Sequence, residues 1–175
     1  MQAATEHPEV WHALSVKQPW AALLVGGRKT IEVRTWGVSR RGLVLIHAAK
    51  IPDARPEGWA HLDSPELKAL ADVRGGILGV ADFVSCVRYN TPDAFAADGE
   101  RHFNAPEWFR PPRLYGFVFE NARPVRFEPW PGNTFFFAVP GYTLPEEPAA
   151  APVAPASPVI WVEPPEGSRK GFPAP

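Results

Sequence analysis

A chain of 175 residues, 45% of them hydrophobic, fits one domain with tails better than two and can bury a real core. Its net charge of −1 excludes a bulk polycation, so any nucleic-acid footprint has to be local. The single Cys86 excludes an internal disulfide, the five histidines lack the paired spacing of zinc sites, and runs such as Phe135–Val139 are too short to span a bilayer.

These features predict a cytoplasmic protein with no metal, no cofactor and no membrane association. The first residues, with Glu6 and His7 and no apolar stretch, do not read as a secretory signal. Residues 1–9 read as an N-terminal tail, 10–143 as the folded domain and 144–175 as a Pro/Ala-rich C-terminal tail. Ten of the 22 prolines lie between Pro140 and Pro175, and Leu144–Ser157 is nearly all Pro, Ala and Glu. Such a stretch cannot bury enough apolar surface to offset its ordering entropy. Val159–Val162 is an apolar exception within it.

Inside the domain, His12–Val16 reads as a first strand. Pro19 suits the first position of a helix, and Trp20, Leu23, Leu24 and Gly27 follow at the spacing of one helix face. Gly26-Gly27 ends it. Thr30–Trp36 alternates as a half-buried strand does, with Ile31 and Val33 on one side and Thr30, Glu32, Arg34 and Trp36 on the other. Leu43–Ala49 is an apolar strand. Ser64-Pro65 caps a helix to about Val73, with Leu67 and Leu70 inward. Gly76–Tyr89 reads as one long strand bent near Gly79, and Thr91-Pro92 starts a short helix to about Ala97. Leu114–Glu120 and Thr134–Val139 complete the strands. Strands and helices do not alternate, which argues against a doubly wound sheet. The expected class is α+β: a small, mixed, closed β-barrel of five or six strands with short flanking helices.

Charge is unevenly spread. Residues 28–50 carry Arg28, Lys29, Arg34, Arg40, Arg41 and Lys50 against Glu32, a local balance of +5. Such a segment serves either as a phosphate-binding patch or as a solvated surface.

Three stretches in this region resemble a known family in order and spacing. They are Leu14-Ser15-Val16-Lys17-Gln18-Pro19-Trp20-Ala21, Gly27-Arg28-Lys29-Thr30-Ile31-Glu32-Val33-Arg34-Thr35-Trp36, and Arg41-Gly42 followed by Ile46-His47-Ala48-Ala49-Lys50. Gly76–Asp82 and Tyr115–Asn121 fit less specifically. Together they resemble the ASCH domain over about residues 12–139. The resemblance implies a PUA-like barrel and a cleft that binds RNA, a nucleoside or a nucleotide. It also implies an alternative, a small hydrolase: an amidohydrolase on N4-acylcytidine or a ribonuclease. A third reading is a non-catalytic interaction module that engages a protein partner through the C-terminal tail.

The ligand-binding set is Gln18, Trp20, Lys29, Glu32, Arg34, Trp36, Arg41 and Lys50. The resemblance implies that Lys29 sits in the cleft and is catalytic in amidohydrolase members. Desolvation would depress its pKa for that work. Glu32 stands where those members carry a threonine nucleophile; Thr30 is two positions off. On the hydrolase alternative, Lys29 and Glu32 are the candidate catalytic pair, with Glu32 activating a water in place of the threonine. Glu100 and Glu107 are the candidates for a further carboxylate. Glu32 and Arg34 serve equally well as a structural ion pair. Trp20 either stacks a base or anchors the helix. His47 reads as a hydrogen-bonded core histidine, Phe135–Phe137 as core, and Cys86 as a small buried hydrophobe.

Overall fold

The computed structural model describes residues 10–145. The N-terminal tail and most of the C-terminal tail, Val159–Val162 included, lie outside them. Leu144, assigned from sequence to the tail, is instead buried in a core cluster with Trp11 and Tyr142.

In chain order the elements are β1 (Trp11–Val16), α1 (Trp20–Val25), β2 (Ile31–Arg34), β3 (Gly42–Ala48), α2 (Pro56–Trp59), α3 (Pro65–Asp72), β4 (Gly76–Tyr89), α4 (Pro92–Ala97), α5 (Gly99–His102), a short 3₁₀ turn (Pro106–Trp108), β5 (Leu114–Pro129) and β6 (Phe137–Val139). The strands form one mixed sheet in the order β2-β5-β4-β3-β1-β6. Only β1 and β3 run parallel; the other neighbouring pairs are antiparallel. The sheet curls into a half-barrel. Its end strands β2 and β6 do not pair with each other among the described residues, so the barrel is open where closure was expected.

Curling comes from the two longest strands. β4 and β5 pair along their lengths, but the register slips at Ile77/Gly79, Val80/Asp82 and Phe83/Ser85. Each slip bends the ribbon and raises its twist. At one of them Asn121 adopts a positive φ of 50°, and its side-chain amide donates to Asp82 Oδ2 at 2.8 Å.

The concave side is filled by α1, all six of whose residues are buried. It sits so close to β4 that a Cβ at Gly79 would lie 2.3 Å from Val25 Cγ2 and 2.9 Å from the Arg123 carbonyl oxygen. Gln18 explains how α1 is fixed. Its amide donates to the Leu70 and Val73 carbonyls at 2.7 and 2.9 Å and accepts from Ala22 N–H at 3.0 Å. One fully buried side chain thus satisfies orphan groups at the start of α1 and the end of α3. Ser64 and Thr91 cap α3 and α4 through their hydroxyls, as their position before Pro implied.

Buried His102 ties α4 to the segment after α5. Its Nε2–H donates to the Phe95 carbonyl at 2.8 Å, and its Nδ1 accepts from Asn104 N–H at 3.0 Å. A carbonyl only accepts and an amide N–H only donates, so both ring nitrogens are committed to the neutral tautomer. Burial lowers the His102 pKa from its ordinary 6.5, and does the same for His47. The unfolded chain, titrating near 6.5, takes up protons before the fold does. The stability these groups contribute is complete above that value and is lost as the pH falls below it. The melting temperature is therefore expected to fall between about pH 7.5 and about pH 5, and less steeply in His102→Gln than in wild type. A melting temperature constant over that range by scanning calorimetry would contradict this.

Candidate functional site

An open cleft of about 1390 Å³ lies at the carboxyl ends of the parallel strands β1 and β3, beside edge strand β2. It exceeds the ~300–1,000 Å³ usual for small-ligand pockets. Six basic side chains line it (Lys17, Lys29, Arg34, Lys50, Arg55 and Arg74) against only Glu32 and Asp53.

The floor begins where α1 ends. Gly27 takes a φ of +73°, and the Leu23 carbonyl accepts from both Arg28 and Lys29 N–H at 2.9 Å. That tight reversal turns Lys29 inward, where its side chain is 1% exposed. Its ammonium lies 3.4 Å from Glu32 Oε2, donates to the His102 carbonyl at 2.9 Å and sits 5.1 Å over the Trp20 ring. The other Glu32 oxygen is 3.3 Å from Arg34 Nη2, and that same nitrogen donates to the Ser15 carbonyl at 2.6 Å. Desolvation lowers the Lys29 pKa; the Glu32 carboxylate opposes this shift, and Arg34 adds to it. The floor is thus a lysine–carboxylate–guanidinium line in which one carboxylate serves two cations.

One wall is organised by Asp53. Its carboxylate accepts from Trp20 Nε1 at 2.9 Å, from Arg55 Nε and Nη2 at 2.9 and 2.6 Å, and from Arg55 N–H at 3.0 Å. Its carbonyl accepts from Trp59 Nε1 at 2.8 Å. Hydrogen bonding from Arg55, together with that from Trp20, holds the Asp53 carboxyl far below the usual carboxylate range. Arg55 is fixed in plane by this fork, and its guanidinium lies 3.5 Å over the Trp108 ring. Its side chain is still 52% exposed, so the Arg55–Trp108 pair forms a flat, charged ledge beside the cleft.

Two buried polar atoms in the lining have no hydrogen-bond partner among the described residues: Arg34 Nε, a donor, and Asn104 Oδ1, an acceptor. Buried polar groups are nearly always paired, so each marks a place for a ligand atom or water.

Of the residues singled out from sequence, Trp20, Lys29, Glu32, Arg34 and Lys50 come together on this cleft. Gln18 does not; it is wholly interior and satisfied by the helix ends it joins. Trp36 is absent from the lining because it packs edge-on against Phe117, Phe135 and Phe136. Arg41 is exposed and covers the Phe83 ring at 5.0 Å. Glu100 and Glu107 are exposed and outside the lining. Thr30 is half-buried and also outside it, and its backbone pairs with Arg101 and Phe119. Phe135 is 56% exposed rather than core, and Cys86 is only partly buried. His47 is hydrogen-bonded as expected, but it also lines the cleft. Asp53, Arg55, Asn104 and Trp108 carried no periodic or motif signal; only the abundance of tryptophan in the chain hinted at Trp108.

Among the described residues no group of three His, Cys, Asp or Glu side chains is placed to hold a metal, and no helix is long and apolar enough to cross a membrane. A family model for the ASCH domain matches residues 14–129, about two thirds of the chain. The chain belongs to the ASCH domain family. The crystal structure of ASCH from Zymomonas mobilis superposes with a TM-score of 0.54 at 14% identity, over 77% of this chain and 90% of that one. A serine-to-alanine mutant of the same Zymomonas mobilis protein gives 0.52 at 14% identity, over 76% and 90%. At that identity the likeness shows a shared PUA-like fold. No curated protein sequence matches.

In this ASCH domain the Asp53 carboxylate holds Trp20, Arg55 and, through Arg55, the ledge on Trp108. Asp53→Asn keeps an acceptor for Trp20 but loses the charged fork. A stability loss of about 1–2 kcal/mol is expected, held to that size by the solvent exposure of Arg55. Denaturant titration measures it; an unchanged midpoint would show that the fork is incidental.

Proposed function

We propose that this ASCH domain binds single-stranded RNA or a modified nucleoside in the basic cleft. The observation that carries this reading is the charge of the lining. A chain with a net charge of −1 concentrates six cations against two carboxylates around one opening, and sets Trp20, Trp108 and Trp130 among them. Exposed Lys17, Lys50 and Arg74 meet phosphates. Stacking falls to the Arg55–Trp108 ledge, because Trp20 is buried and committed to Asp53. The unpaired Arg34 Nε and Asn104 Oδ1 offer a donor and an acceptor for a base edge. The family's general association with RNA binding supports the same reading.

A second reading is hydrolysis at the cleft floor, of an N4-acylcytidine or of RNA. What supports it is Lys29, buried, depressed in pKa and 3.4 Å from Glu32, an arrangement suited to proton transfer. Mass spectrometry on acylated nucleosides and short RNAs separates the two. Product formation that disappears in Lys29→Ala favours hydrolysis; bound but unchanged RNA favours binding alone.

Fluorescence anisotropy with a labelled single-stranded RNA tests the binding reading. Three phosphate contacts predict log K against log[salt] with a slope of about −2, reduced by about 0.7 in Lys50→Ala. Trp108→Ala is expected to weaken binding by about 1–3 kcal/mol with the circular dichroism spectrum retained. Salt-independent affinity, or no effect of either substitution, would refute it.

A further inference from the structure

Ser15 and His47 stand opposite each other in the parallel β1–β3 pair. Ser15 Oγ lies 3.0 Å from His47 Nδ1, and His47 Nε2 lies 2.8 Å from the Trp130 carbonyl oxygen. The carbonyl can only accept, so the ring proton sits on Nε2 and Nδ1 presents a bare lone pair. Ser15 therefore donates its hydroxyl proton to His47. Its oxygen also accepts from Asn133 N–H at 3.2 Å. Nucleophile, base and orienting group follow in the order that activates a serine, with a main-chain carbonyl in the orienting place. Burial keeps the imidazole neutral, the form a general base needs.

The pair is built tightly. Gly132 presses on it, and a Cβ there would lie 2.5 Å from His47 Cε1 and 2.9 Å from Ser15 Oγ. It is also open to a ligand: Ser15 is only partly buried, and both residues line the cleft. Arg34, with its unpartnered Nε–H, holds the Ser15 carbonyl and brings positive charge to this end of the cleft.

We propose that Ser15 is an acyl-accepting nucleophile with His47 as its general base, acting on carboxylic esters that carry a phosphate group. Ser15 Oγ adds to the ester carbonyl carbon while its proton passes to His47 Nδ1. The carbon–oxygen bond to the alcohol breaks, and the alcohol departs with that proton. Water, deprotonated by His47, then cleaves the acyl-serine, releasing the carboxylic acid and restoring Ser15. The phosphate preference rests on the same basic lining as the RNA reading; the serine–histidine pair does not.

The test uses the full chain and a fluorophosphonate probe, with the adduct located by peptide mass spectrometry and RNA affinity measured on the same preparation. The expected result is an adduct on Ser15, absent in Ser15→Ala and formed at least ~10²-fold more slowly in His47→Gln. Should His47→Gln fail to fold, wild type still decides: folded protein with no adduct on Ser15 overturns the proposal, whatever its RNA affinity. In a second arm, 1-acetylglycerol 3-phosphate is expected to be hydrolysed at least ~10-fold faster than 1-acetylglycerol, with the gap narrowing in Lys50→Ala. Equal rates would overturn the phosphate preference. A labelled Ser15 in protein that binds no RNA would overturn the RNA reading alone.

Discussion

The cleft depends on one desolvated carboxylate. Glu32 is nearly buried, and its two oxygens face a buried lysine and a partly buried arginine. Burying Lys29 alone would cost several kcal/mol, a cost that a paired counter-charge and further hydrogen bonds offset. The His102 carbonyl and the Trp20 ring supply the rest of its surroundings. Because these partners come from β2, α1 and the end of α5, holding one charge also holds three elements around the opening. Arg34 extends the line to β1 through the Ser15 carbonyl. Removing either partner of such a pair costs more than the pair contributes, since the remaining charge is left unpaired in a poor solvent.

The network also explains how a nearly neutral protein presents a basic surface. Asp53 and Glu32, the two acidic groups of the lining, are spent internally on Arg55, Arg34 and Lys29. Lys17, Lys50 and Arg74 carry no ion pair among those formed by the described residues, so their field is directed at the solvent. Asp53 does more than neutralise. By fixing Arg55 flat over Trp108 it builds a rigid ledge whose ordering cost is met in the free protein.

Much of the framework was legible because local pattern determines it. Gly76–Tyr89 agrees with the structure to the residue, and the helix after Thr91 starts at Pro92 where its cap chemistry marks it. Lys29 and the Glu32–Arg34 pair were legible because a glycine turn precedes Lys29 and Glu32 and Arg34 lie two apart on one strand, and Trp20 because it opens the helix beside them. β5 was read only to Glu120, though it continues to Pro129, because its second half carries a bulge at Asn121 and a proline at 124. α2 and α5 are four residues long, too short to show a period. Gln18 was misplaced because its role needs the carbonyls of α3, more than fifty positions away. Trp36 was misplaced because its partners Phe135 and Phe136 arrive from the far end of the domain. Asp53, Arg55 and Asn104 sit on irregular segments and Trp108 on a single 3₁₀ turn, and the fold alone brings them to the cleft. His47 read as a satisfied core histidine; what the sequence did not show is that its hydrogen-bond partner is a cleft serine 32 positions away.

The central claim is that Lys29 is buried at the floor of the cleft and that Glu32 opposes the lowering of its pKa by burial. Nitrogen-15 NMR of the Lys29 side chain, titrated in wild type and in Glu32→Gln, tests it directly. The account predicts a Lys29 pKa below the ordinary lysine value in wild type, and lower still once the carboxylate is gone. A lysine that titrates at the ordinary value in both proteins would contradict it.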